Sequence, residues 1–207
     1  MFIFTLIIGL IFQVLNFPEP ESDALKEKRL AELVHDFVSI KYSKHKMKEY
    51  LYVGVKRQMI YLISDTTIIL SFPISTSKYG VGSERNSEKT PIGLHKIESK
   101  IGEDAPINGI ILGTKYTGKI APIITEAKAG NTDDVTTRAL RLEGMESNVN
   151  KGGNKDSYTR DIYIHGTPEE GLIGQPASHG CIRMKNKDVI ALFDRVKTGT
   201  YVIILNN

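Results

Sequence analysis

The residues with the strongest chemical potential stand together in Pro176-Ala177-Ser178-His179-Gly180-Cys181-Ile182-Arg183-Met184, around the chain's one cysteine. Thiol catalysis works through the thiolate, so cationic or imidazole neighbours and free backbone N–H groups are the features to look for. His179 lies two residues before Cys181 and Arg183 two residues after. In an extended segment the three side chains share a face, where two positive or potentially positive groups flank the sulfur and lower its pKa. Gly180 lets the backbone approach a substrate, and the N–H groups around Gly180 and Cys181 can form an oxyanion hole. A second imidazole, His165, ends the alternating run Asp161-Ile162-Tyr163-Ile164-His165-Gly166. In a strand, Asp161, Tyr163 and His165 lie on one face. The loop that follows holds Gly171, Gly174 and Pro176, turn-forming residues that let the chain fold back toward Cys181. One histidine then serves as base to the thiol, with the Gly166 carbonyl as a candidate to orient its other nitrogen.

Residue types alone leave three readings open. The first is a cysteine nucleophile with an imidazole base. The second is a zinc site built from His165, His179 and Cys181, three protein ligands plus water. In the third, a small buried cysteine and two satisfied histidines do only structural work.

The elements that must position these groups read as mostly β. Tyr50–Val55, Met59–Ile63 and Thr67–Phe72 form three strands of a meander, the last two parted by Ser64-Asp65. Residues 75–90 read as a long loop, and Thr90-Pro91-Ile92-Gly93 as a turn before a short strand through His95 and Ile97. Further strands are expected over Asn108–Leu112 and Thr137–Leu142. Between them residues 126–134 are weakly patterned, and residues 145–156 read as a mobile polar loop. Val189, Leu192, Phe193 and Val196 make a helical stripe, with Asn186 as its cap and Gly199 as its stop, before a final strand over Tyr201–Leu205. Near the start, Ser22 caps a helix reaching about Ser43, with Leu30, Leu33, Val34, Phe37 and Val38 as its docking stripe. Lys41, Lys44, Lys46 and Lys48 follow it as a basic tail.

The chain has 207 residues and a net charge of +3. That suits a single domain with a core plus an extra segment, and it is too mild to suggest nucleic acid as a partner. One cysteine excludes an internal disulfide framework. Residues 1–17, MFIFTLIIGLIFQVLNF, are almost wholly apolar and give way to Pro18-Glu19-Pro20-Glu21. Their length fits an export signal or a retained membrane anchor. The expected organisation is therefore 1–20 signal or anchor, 21–48 helix and 49–207 catalytic domain, exported to the periplasm or cell envelope, with membrane attachment through residues 1–17.

His165-Gly166, a loop, and then Ser178-His179-Gly180-Cys181-Ile182-Arg183 resemble the signature of the L,D-transpeptidase (YkuD-type) catalytic domain. Weaker agreement runs through the meander, Ser75-Thr76, Thr90-Pro91-Ile92-Gly93 and Thr137-Arg138-Ala139-Leu140, so the resemblance covers about Tyr50 to Asn207. It implies an α+β, mostly β sandwich with a late helix packed on it. By position it implies Cys181 as nucleophile, His165 as general base and the Gly166 carbonyl as its orienter. His179 and Gly180 match flanking motif residues whose backbone N–H groups hold the oxyanion. Arg183, with Ser178 and Tyr163, is assigned to substrate, Arg183 to a substrate carboxylate. The implied partners are peptidoglycan stem peptides, donor and acceptor, with no metal and no organic cofactor. Residues 126–156 map onto no motif. An L,D-carboxypeptidase, with water as acceptor, and a wall-binding module with an idle thiol are the alternatives.

Overall fold

The computed structural model describes residues 22–207. The expected leader over residues 1–20 lies outside the described residues. Among the described residues no helix is long and apolar enough to cross a membrane.

Helix α1 spans Asp23–Lys41, and the strands are β1 Glu49–Gly54, β2 Met59–Ser64, β3 Thr67–Ser75, β4 Gly93–Ile101, β5 Gly109–Leu112, β6 Lys115–Ile120, β7 Val135–Gly144, β8 Tyr163–Gly166, β9 Ile182–Met184 and β10 Tyr201–Leu205. Helix α2, Asn186–Arg195, sits between β9 and β10. The strand order is β4-β10-β1-β2-β3-β9-β8-β7-β5-β6, and β4 also pairs with β7. The first eight strands in that order therefore close into a ring, and the β5–β6 hairpin extends from β7.

Side-chain alternation explains how this β structure is covered on both faces. Leu51, Val53, Ile60, Leu62, Val202 and Ile204 turn into the main core, which also takes Leu140, Leu142, Ile164, Ile182 and the α2 residues Val189, Leu192 and Phe193. The intervening Tyr50, Tyr52, Tyr61, Ile63 and Ile203 point outward and pack under Ala31, Val34 and Val38 of α1. These strands thus carry near-continuous apolar runs, because each face has its own cover.

The Ser22 side chain accepts the Leu25 N–H and caps α1 as expected. Leu33 leaves the expected stripe: it is exposed, and Ala31 takes its place at the spacing 31-34-38. Asn186 does not cap α2. The N-cap is Lys185, and the buried Asn186 amide instead donates to the Thr167 carbonyl and Glu170. The helix ends at Arg195 with Val196 extended, and Gly199 (φ +89°) belongs to the turn before β10. Strand β6 is an element the pattern did not announce, since all six of its residues are exposed. The 145–156 segment, read as mobile, is anchored by Asn150, whose side chain is hydrogen-bonded to the Glu146 N–H and to the Ile92 and Leu94 carbonyls.

Candidate active site

Strand β9 is wedged between β3, antiparallel, and β8, parallel. The parallel pair sets Ile164 against Ile182 and His165 against Arg183. Cys181, one residue before Ile182, therefore lies beside Tyr163, and its sulfur and the His165 ring leave adjacent strands on one face. Both line a cleft of about 450 Å³ together with Arg85, Asn86, Asp133, Arg160, Asp161 and His179. The fold-back expected between His165 and Cys181 is present. Asp161 is not part of the strand: it stands at φ +54° in the turn before β8, so the expected three-residue face reduces to Tyr163 and His165.

The turn that carries Cys181 is held by hydrogen bonds through Ser178. Ser178 is fully buried; its N–H donates to the Thr76 carbonyl, its hydroxyl donates to the Cys181 carbonyl at 2.6 Å, and its own carbonyl accepts from Lys78. It clamps the turn and does not face the cleft. Gly180 takes φ +130°, a conformation suited to glycine, and its N–H reaches the Ser178 hydroxyl at 3.3 Å. The Cys181 thiol donates to the Asp161 carbonyl and accepts the Tyr163 N–H, each at 3.4 Å. The Tyr163 hydroxyl donates to Asp161 at 3.2 Å.

His165 is buried, and its Nδ1 lies 2.7 Å from the Gly166 carbonyl. A carbonyl can only accept, so in the neutral ring Nδ1 carries the proton and Nε2 keeps the lone pair a base requires. Gly166 has no room for a side chain: a Cβ there would sit 2.6 Å from the Thr136 carbonyl and 2.7 Å from Asn186 Oδ1.

Burial dominates the electrostatics of the pair. It pushes the Cys181 thiol up to about 11; the Asp133 and Asp161 charges add to it, while the Tyr163 N–H and Arg183 oppose it. Burial likewise pushes His165 down to about 4, against the Gly166 hydrogen bond and the Asp133 charge. The resting pair is a neutral thiol and a neutral imidazole. The expected net lowering of the thiol pKa by His179 and Arg183 does not occur, because burial outweighs the Arg183 charge and both side chains are tied to carboxylates. His179 Nδ1 is 2.7 Å from Asp133, and Arg183, 1% exposed, bridges Asp133 at 2.5 Å and Glu169 at 2.6 Å. Glu169 in turn accepts the Gly130 N–H. Burial acts to raise the Asp133 carboxyl, but the charge and hydrogen bond of Arg183, with the His179 bond, outweigh it and hold its pKa below the usual value.

Arg183 is therefore absent from the cleft wall, where a contact to a substrate carboxylate was expected. It works as an internal strut that joins the 126–134 segment to the site. The zinc arrangement also fails on geometry: among the described residues no group of three or more His, Cys, Asp and Glu side chains converges to hold a metal.

Asp133, Glu169, Arg160 and Arg85 are site residues that motif reading missed. Asp133 lies in a segment without pattern. Glu169 had a usable signal: a basic residue on a short buried strand needs a buried carboxylate, and Glu169 lies just beyond His165-Gly166.

Residues 48–204 match the family model described as the L,D-transpeptidase catalytic domain. YqjB of Bacillus subtilis (strain 168), an L,D-transpeptidase by name, is 46% identical over 137 residues, which cover 52% of this chain and 77% of YqjB. YbiS of Escherichia coli (strain K12), also named an L,D-transpeptidase, is 32% identical over 123 residues, covering 54% of this chain and 35% of YbiS. Among solved structures, the L,D-transpeptidase of Xylanimonas cellulosilytica DSM 15894 is 17% identical with a TM-score of 0.48, covering 76% of this chain and 60% of that one. The chain thus spans most of YqjB but only about a third of YbiS. With a family match running through nearly all of the β structure and both ends of the cysteine–histidine cleft, the chain belongs to the L,D-transpeptidase catalytic domain family.

Proposed function

We propose that this protein is a cysteine-dependent peptidoglycan L,D-transpeptidase. The observation that carries the reading is the shared cleft of Cys181 and His165, with the imidazole tautomer set by the Gly166 carbonyl. The Cys181 sulfur attacks the stem-peptide carbonyl that precedes a terminal D-amino acid. The thiol proton passes to His165 Nε2 as the carbon–sulfur bond forms, because a neutral pair must move that proton before or during attack. The tetrahedral oxyanion is met by the backbone N–H of Cys181, the Gly180 N–H being taken by the Ser178 hydroxyl. The amide bond then breaks, His165 returns the proton to the departing amine, and a thioester remains on Cys181. An amine of a second stem attacks the thioester, gives its proton to His165, and the thiolate leaves and is reprotonated. Donor and acceptor become crosslinked. Each proton transfer uses a side chain of this protein.

His179, Asp133, Arg183 and Glu169 act as positioning residues in this scheme, because they fix the turn that carries the sulfur. Residues 1–17 would serve export, placing the domain in the cell envelope where stems are exposed. The test is incubation with purified disaccharide-tetrapeptide and product analysis by mass. A crosslinked dimer is expected. A trimmed tripeptide alone would make water the acceptor and the protein a carboxypeptidase, and an unchanged substrate would contradict both.

A further inference from the structure

The geometry points to Arg160 and Arg85 as the residues that bind the free carboxylate of the donor's terminal amino acid. This inference rests on the proposed function, and it names a part of substrate recognition that Arg183 does not supply. An enzyme that removes only a terminal residue must read the chain end, and the chain end is an α-carboxylate a few bonds from the attacked carbonyl. Arginine suits that task through its planar fork of donors. Arg183 is unavailable, being buried and held between Asp133 and Glu169.

Arg160 and Arg85 both line the cleft that holds Cys181 and His165. Arg160 is fixed in place: one guanidinium nitrogen donates to the Gly82 carbonyl at 3.3 Å and the other to the Lys89 carbonyl at 2.7 Å. Two bonds of five leave donors available. No carboxylate among the described residues forms an ion pair with Arg160 or Arg85. The neighbouring acids have direct partners elsewhere: Glu84, whose charge also reaches Arg160, is bound by Lys155 and Asn154, Asp161 by Arg141 and Tyr163, and Asp133 by His179 and Arg183. Glu88 is the remaining acid on the wall, and it is exposed. The loop that bears Arg85 is anchored through its backbone, with the Arg85 N–H on the Asn154 carbonyl, which leaves its side chain free to meet a ligand. Two guanidinium groups with no carboxylate in direct contact, lining the cleft of Cys181 and His165, make an anion subsite.

The test compares disaccharide-tetrapeptide ending in the free acid with the same compound ending in a carboxamide, in the intact protein, Arg85→Gln, Arg160→Gln and the double variant. The expected ratio of kcat/KM for acid over amide is about tenfold or more in the unaltered protein, the range of a charge-assisted hydrogen bond. It should fall in each single variant and approach one in the double variant. Equal loss on both substrates, with the ratio kept, would mean that the arginines only shape the loop, and would overturn the inference. An unaltered protein that turns over both substrates equally would overturn it as well. Failure to turn over either, with no mass added to Cys181, would instead remove the proposed function on which it stands.

Discussion

The neutral resting state of Cys181 and His165 makes a quantitative prediction about thiol reactivity. Burial raises the thiol from an ordinary 9.0 to about 11. At neutral pH the folded protein therefore holds about a hundredfold less thiolate than the unfolded chain. A more basic thiolate is also the better nucleophile, and a Brønsted coefficient of about 0.4–0.5 returns roughly six- to tenfold of that loss over the two-unit shift. Alkylation by iodoacetamide near pH 7 should then be slower in native than in urea-unfolded protein by about tenfold, before any added effect of access. Since Cys181 is the chain's one cysteine, total incorporation reports this site alone. The pH profile separates charge from access, because access scales the rate without moving the inflection. The logarithm of the native rate should climb with unit slope from pH 6 through pH 10. The unfolded chain should level off near pH 9. A native profile that is already flat below pH 8 would reveal a preformed thiolate–imidazolium pair and refute the reasoning.

Other expectations follow from the same geometry. His165→Ala should lower kcat by about 10²–10⁴-fold with a much smaller change in KM, as for loss of a general base; unchanged kcat would remove His165 from that role. Arg183→Met leaves the buried Glu169 and the charge of Asp133 without their cation, and should cost about 3–5 kcal/mol in urea unfolding, with part recovered in Arg183→Met/Glu169→Gln. A loss below about 1 kcal/mol would show that the bridge contributes little. His165 and His95 are both buried and pushed down to about 4, so the unfolded chain, with ordinary values of 6.5, takes up their protons first on acidification. Their contribution to stability is complete above pH 6.5 and falls away toward pH 4, by up to about 3 kcal/mol for each. Urea midpoints that stay constant from pH 7 to pH 4 would contradict this. Gly166→Ala should disturb β8 and reduce activity, because its Cβ meets the Thr136 carbonyl and Asn186, and an active variant with unaltered melting would show that the contact yields.

The contrast between what the sequence disclosed and what it hid has a physical basis. The β-strands through Tyr50–Val55, Met59–Ile63 and Tyr201–Leu205 were legible because long apolar runs bounded by turn residues leave few alternatives. Strand β6 was hidden, since an exposed edge strand needs no apolar pattern. That Cys181 and His165 come together was readable from motif spacing, but their charge states were not. His179 and Arg183 suggested a lowered thiol pKa, whereas the fold delivers them to Asp133 and Glu169 and leaves burial to decide. Arg183 shows the same limit. Its position two residues past Cys181 placed it near the site, but its burial depends on Asp133 and Glu169, which meet it from other parts of the chain. Asn186 appeared as a helix cap by residue type, and its burial beneath Gly166 depends on contacts far apart in the chain.

The central claim is that Cys181 forms a thioester with a stem peptide, and rapid quenching followed by intact-protein mass spectrometry tests it directly. With disaccharide-tetrapeptide as donor and no acceptor added, the protein should gain the mass of the donor less its terminal amino acid, localised to Cys181 and absent in Cys181→Ala. Product formation by a Cys181→Ala protein, or turnover in the unaltered protein with the added mass on another residue, would contradict the account.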